Sequence, residues 1–225
     1  MSAHTGEATT QAALAPKPDN ATSKATIEIP ASKTWDDLAL IAALARLVND
    51  VYATEEGSIY KTSFSRTSES EIQKLLQAGE LAVAFLLLPL PLPLPLEAAD
   101  TQSSPSTGPQ RTPVGCVCIK KLSATTGEFG MLAVDPVHRG AGLGADLVRF
   151  AEAHCRRALG LTIMRLDLLV PLHFEHAGKT RLQVWYTRLG YEMTGLGDFE
   201  REYPELYALL AGPTEYRVFE KNLVE

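Results

Sequence analysis

The sequence predicts an α/β fold: a mixed sheet flanked by helices, folded as a single domain over residues 25–225. Three observations lead there. Short apolar or alternating runs suited to strands interchange with helical stripes from residue 25 to residue 223. Three strand-like runs, 81–88, 114–121 and 127–134, follow one another with no helix between them, so neighbouring strands pair directly as well as through helices. A glycine-rich loop then joins the last of these runs to a helix, and another strand-like run follows that helix. At 225 residues the chain is long enough to bury one core.

Residues 1–24 hold Ala, Thr and Ser with scattered Pro and no sustained apolar period, the composition of a disordered tail. In 25–30, Ile27 and Ile29 alternate with polar residues and Pro30 closes a first strand. Leu38, Ile41, Leu44, Ala45, Val48 and Tyr52 make a helical stripe over 35–52, with Ser32 or Thr34 as N-cap and Asp36 and Asp37 at its positive end. The polar stretch 53–70 reads as a loop carrying Glu55, Glu56, Tyr60 and Arg66, and a short helix at 71–77 stops at Gly79. Strand 81–88 runs into alternating Leu and Pro, then into a Ser/Thr/Pro/Gly-rich stretch, an insertion over about 89–113. Proline there removes every second backbone donor, so the segment is an extended surface excursion and not a membrane span.

The helix after the glycine loop carries Leu143, Leu147, Phe150 and Ala151 as its stripe, has Arg156 and Arg157 in its last turn, and stops at Gly160. Its His154 reads as a histidine at the edge of the core. A strand at 161–170 follows, with Arg165 and Asp167 among its apolar residues. The chain closes with a helix at 179–189, a strand to about Thr194, a small helix at 205–210 and a strand at 214–223.

Composition narrows the function. A formal charge of −6 and a pI near 5.4 argue against nucleic acid as a main partner, since phosphate binding draws on clustered Lys and Arg and no such run occurs. Cys116 and Cys118 fall on one face of a strand as small apolar side chains, and with Cys155 they form no C-x-x-C pair. That usage fits a reducing compartment, and the N-terminus has no secretory pattern, so the expected location is the cytoplasm, with the nucleus as the alternative. His173 and His176 flank Glu175, but no third ligand is suitably spaced and no metal is expected.

The chemistry concentrates at Arg139-Gly140-Ala141-Gly142-Leu143-Gly144, between a strand and a helix. The first amides of a helix have no internal partner, its dipole places positive charge there, and glycines admit an oxyanion close to the backbone. Three anion-binding readings compete, beside that of a plain helix cap. A P-loop fails because Ala145 and Asp146 stand where Lys and Ser or Thr are needed. A dinucleotide fingerprint is formally met by Gly140, Gly142 and Ala145, with Asp167 beyond the usual place for a ribose-binding acid, but 135–139 intervene after the strand. In the third reading Arg139, Gly142 and Gly144 match Gln or Arg, two residues, Gly, one residue, Gly or Ala, and the preceding LAVDPVHR is the matching strand and turn. That loop resembles the pyrophosphate loop of the GNAT superfamily of N-acetyltransferases.

A second block agrees: Trp185-Tyr186 followed by Leu189-Gly190-Tyr191 resembles the family's helix with an aromatic pair leading to Gly-Tyr. The resemblance covers about 25–223 and implies an acetyl-CoA-dependent transfer to an amine, without a covalent enzyme intermediate. It implies that residues 139–144 grip the coenzyme pyrophosphate, that the backbone of Leu132, Ala133 and Val134 pairs with the pantetheine where this strand diverges from 161–170, and that Tyr186 protonates the departing thiolate. Glu128 matches the place of the general base in histone-type relatives. Glu55 and Glu56 are the candidates to hold a cationic amine, and Lys179 either approaches the coenzyme or faces water. The expected acceptor is a small-molecule amine. The alternatives are a catalytically silent coenzyme-binding regulator and an acetyltransferase acting on protein lysines or N-termini.

Overall fold

The computed structural model describes residues 25–87 and 111–224. The tail read at 1–24 and most of the insertion read at 89–113 lie outside the described residues. The elements are β1 (Thr26–Glu28), α1 (Leu38–Glu56), α2 (Glu69–Ala78), β2 (Leu81–Leu87), β3 (Arg111–Lys121) and β4 (Thr126–Val134), then α3 (Leu143–Arg157), β5 (Ile163–Pro171) and α4 (Ala177–Arg188). The last are β6 (Glu192–Leu196), α5 (Phe199–Glu202), α6 (Pro204–Ala208) and β7 (Thr214–Asn222). Among the described residues the strands form one sheet in the order β1-β2-β3-β4-β5-β7-β6. Only β4 and β5 pair in parallel, joined through α3. This is the mixed sheet the sequence predicts.

Two cores sandwich the sheet. On one face α1 and α2 bury Leu44, Val48, Ile72 and Leu76 against Val83, Cys116 and Cys118, which confirms the shared face of the two cysteines. On the other, α3 and α4 bury Leu147, Ala151, Cys155 and Tyr186 against Leu166 and Phe219. Contact there is close: a Cβ on Gly127 would sit 2.6 Å from Cys155 Sγ. A third cluster, with Ile59, Tyr60, Leu169, Phe199 and Tyr216, fills the end of β5 and β7 beside α5 and α6.

Several boundaries differ from expectation, each for a local reason. Asp37, not Ser32 or Thr34, caps α1: its Oδ1 accepts from the N–H groups of Ala39 and Leu40, both at 3.1 Å, while Ser32–Thr34 coils as a 3-10 turn. The same helix runs on to Glu56, so Glu55 and Glu56 stand in its last turn and not on a loop. Strand β3 begins at Arg111, so 111–113 belong to the sheet. Pro113 is accommodated beside a register shift between Ala84 and Phe85, and Arg111 lies over the Phe85 ring at 4.2 Å and bridges Glu28 at 2.9 Å. The expected helix 205–210 is α6, at Pro204–Ala208, and the unexpected α5 stands just before it, separated because Pro204 holds Tyr203 out of the helical region, at φ −137 and ψ 62.

Candidate active site

The site begins where two strands part. Strands β4 and β5 pair only at Thr126, Gly127 and Glu128, opposite Ile163, Met164 and Arg165. Beyond Glu128 they separate, and a bulge explains the bend: Cys116 pairs with Ala133 but Cys118 with Gly130, leaving one extra residue on β4. Met131 takes up that residue with φ 48, a left-handed conformation that costs about 1–3 kcal/mol outside glycine and is held by burial under α1 and α2. The bulge also reverses the side-chain alternation. Phe129 before it and Leu132 and Val134 after it all face the α3 side, while Met131 and Ala133 face α1 and α2. The Asp135 N–H donates to Val114 O at 2.9 Å, so the polar groups of Val134, and by alternation those of Leu132, are turned toward the gap.

The glycine loop closes one end of this gap. Gly140 and Gly142 have φ 82 and 88, and a Cβ on either would meet nothing within 4 Å. Gly142 is the N-cap of α3 and offers no side-chain oxygen, so the first amides of a 15-residue helix stay open to an incoming anion. A Cβ on Gly144 would lie 3.7 Å from the Trp185 ring, which brings α4 alongside the loop. Together the gap and loop form a cavity of about 730 Å³, within the size range of cofactor sites.

Tyr186 lines this cavity at 7% exposure, beside Trp185 and Phe129 at ring-centroid distances of 5.0 and 5.9 Å. Its hydroxyl has no hydrogen-bond partner among the described residues, where no fully buried side-chain oxygen lacks one, so the hydroxyl opens into the cavity. Burial, and then Tyr52 and Glu56 nearby, raise its pKa and keep the phenol protonated. Glu128 stands on the cavity wall where the strands part. Burial, and then the adjacent Asp167 carboxylate, hold its pKa up at about 7, against the pull of Arg165 and Lys120. Asp167 also grips Arg165, through bonds of 2.9 and 2.7 Å.

The sequence-predicted residues largely converge. Glu128, Leu132, Val134, Arg139, Gly140, Gly142, Leu143, Gly144 and Tyr186 all line the one cavity. Ala133 turns its methyl to the opposite core at 0% exposure, and Ala141 is exposed and off the cavity wall. Glu55 and Glu56 line the cavity but are not available carboxylates. Glu55 Oε1 accepts from Arg139 Nη1 at 2.5 Å, and Glu56 bridges Lys179, which is buried at 3% and does not face water. His176 instead serves as N-cap of α4, its Nδ1 accepting from the Lys179 N–H at 3.3 Å. Among the described residues no cluster of three metal-ligating side chains occurs.

The same wall holds residues that pattern alone left unassigned: Tyr52, Arg66, Tyr203 and Tyr216. The one available signal was Arg165 and Asp167, opposite charges two apart in an apolar strand. They share a face and mark where the sheet carries a polar cluster.

Residues 109–193 match the family model of the acetyltransferase (GNAT) domain. Over this stretch the chain is similar to a GNAT acetyltransferase domain. The match takes in β3 through the start of β6, and so the divergent strands, the glycine loop and Tyr186. Solved structures extend the GNAT likeness across the described fold. N-acetylglutamate synthase from Neisseria gonorrhoeae, complexed with coenzyme A and N-acetyl-glutamate, is similar at TM-score 0.52 and 16% identity, over 89% of this chain and 35% of that one. The chain therefore spans 35% of the synthase's length. Aminoglycoside 6'-N-acetyltransferase complexed with coenzyme A is similar at 0.56 and 15%, over 89% and 98% of the two chains. The NatC complex bound to Gag peptide and CoA gives 0.54 and 16%, over 89% and 99%. At such identities the likeness is one of fold. No curated protein sequence matches. The sheet, antiparallel at every pairing but one, also disposes of the dinucleotide fingerprint, which requires a doubly wound parallel sheet.

Proposed function

We propose that this protein is an acyl-coenzyme A dependent N-acyltransferase that uses acetyl-CoA and acylates a small-molecule amine directly, in a ternary complex. The observation that carries the reading is the parting of β4 from β5 after Glu128, because it opens one cavity onto the uncapped α3 N-terminus, the free edge of β4 and the Tyr186 hydroxyl together. The residues fit the coenzyme. The loop 139–144 would hold the diphosphate through backbone amides, with Arg139 beside it, and the backbone of Leu132 and Val134 would pair with the pantetheine amides. Ala133 adds no side-chain contact.

When bound, acetyl-CoA supplies an acyl group activated as a thioester. Glu128, poised near neutral pH, takes the proton that a primary ammonium must lose before it attacks. Tyr186 holds a proton at Oη for the departing sulfur. A β4 amide facing the gap donates to the carbonyl oxygen as charge develops there. Transfer is direct in this reading, and the three cysteines support it: all are buried, with burial raising each thiol pKa to about 11 or 12, so none is a ready nucleophile.

The test is thermal melting with and without acetyl-CoA, beside Gly142→Glu, which places a carboxylate at the open helix end. A ligand that binds only the folded state raises the midpoint. A rise that the variant loses supports the site, and thiol release with an amine panel then measures transfer. No rise in a folded sample, or a rise equal in the variant, refutes it.

A further inference from the structure

The cavity wall carries several cations: Lys120 and Arg181 are exposed to solvent, and two others are matched within the protein. Arg139 has Glu55 and Lys179 has Glu56. Arg66 is different. Its guanidinium lies between two aromatic rings, 5.5 Å from the centroid of Tyr52 and 5.8 Å from that of Tyr203. No carboxylate lies within ion-pairing distance of it among the described residues. Glu71 and Glu56 act on it from farther away, and Glu71 is engaged, accepting from Thr67 Oγ1 at 2.9 Å.

A guanidinium held against two aromatic rings keeps its charge and loses little freedom on binding, and its planar fork suits a two-pronged anion. The group that completes it is a carboxylate, bound through two parallel hydrogen bonds. Glu128 lines the same cavity as Arg66. The cavity therefore offers an anion-seeking cation and a proton-accepting carboxylate to a single guest.

We propose that the acceptor is an amine that also carries a carboxylate, a free amino acid or a molecule of that design, with Arg66 holding the carboxylate while the amine is directed toward Glu128. The proposal rests on the acyltransfer reading and names its substrate class. Arg66 acts as a specificity residue by touching the acceptor, and Tyr52 and Tyr203 position it.

Titration calorimetry with coenzyme A comes first, on the wild type and on Arg66→Gln; absence of binding to the wild type would refute the acyltransfer reading itself. Thiol release from acetyl-CoA is then measured with free amino acids, each beside its carboxamide and its decarboxylated amine. Turnover should be confined to the carboxylate-bearing members. Arg66→Gln should raise KM for the best of them by about ten- to a hundred-fold, with coenzyme affinity unchanged and kcat little altered. Arg66→Lys should recover part of that loss, since it keeps the charge without the fork, and it carries the comparison if Arg66→Gln does not fold. The proposal is overturned by amides or plain amines turning over as well as the acids, by an unchanged KM in the variants, or by no turnover of any panel member in a protein that binds the coenzyme.

Discussion

Replacing Glu55 by Gln should strengthen coenzyme binding. Arg139, the arginine of the glycine loop, is held at 2.5 Å by Glu55 from the last turn of α1, so a diphosphate arriving at the loop competes with a carboxylate already in place. The side chains remain 38% and 32% exposed, which makes this a partly solvated pair and not a buried one. Such pairs contribute about 0.2–1 kcal/mol. Releasing Arg139 from its partner should therefore lower the coenzyme Kd by about 1.4- to 5-fold. Calorimetry at low salt reads this directly, and the difference between wild type and variant should shrink as ionic strength rises, because exposed charges are screened. In an Arg139→Gln background the gain should vanish, since the two residues act on one interaction. Weaker or unchanged binding in Glu55→Gln would mean that the carboxylate orients Arg139 for the diphosphate, and the competition argument would be wrong.

Glu128 predicts a pH dependence of two kinds. Its folded pKa, about 7, lies above the ordinary 4.5, so the folded protein keeps a proton that the unfolded chain releases; stability should fall as pH rises from about 4.5 through 7, and Glu128→Gln should flatten that fall in denaturant titrations across the window. As a base it must be ionised, so kcat/KM should climb with pH through about 7, and Glu128→Gln should lose that limb together with about 10²- to 10⁴-fold in rate. A wild-type profile flat between pH 6 and 8, with chemistry limiting, would remove Glu128 from the role. Tyr186→Phe should reduce kcat by about 10²-fold while leaving coenzyme affinity near wild type, because the buried phenol is protonated throughout the neutral range and acts on the leaving sulfur. Unaltered kcat would make it a packing residue.

Much of the fold was legible because it is written locally. The stripe from Leu38 to Tyr52, the alternation around Ile27 and the proline-free stretch after Gly144 are periodic patterns whose meaning does not depend on distant residues. The glycines were legible for the same reason: Gly79, Gly140 and Gly142 stand at positive φ, which their neighbours along the chain announce. Element ends were less so. Asp37 prevailed over Ser32 and Thr34 because the first residues after Pro30 coil as a separate 3-10 turn.

The site divides along the same line. Chain pattern marked the glycine loop and the apolar β4, and the family resemblance singled out Tyr186, since each sits in a contiguous motif of a few residues. The partners of those residues were not assignable. Glu55 and Arg139 are separated by 84 positions, and Glu56 and Lys179 by 123, so that two carboxylates read as open acceptor groups are in fact neutralised across the cleft. The raised pKa of Glu128 likewise needs Asp167 to arrive from another strand, and the isolation of Arg66 needs Tyr52 and Tyr203 to close on it from α1 and from the turn before α6. Periodicity and glycine placement are properties of neighbours along the chain, whereas burial, charge pairing and the direction of a side chain belong to neighbours in space, and those exist only once the sheet and its helices have come together.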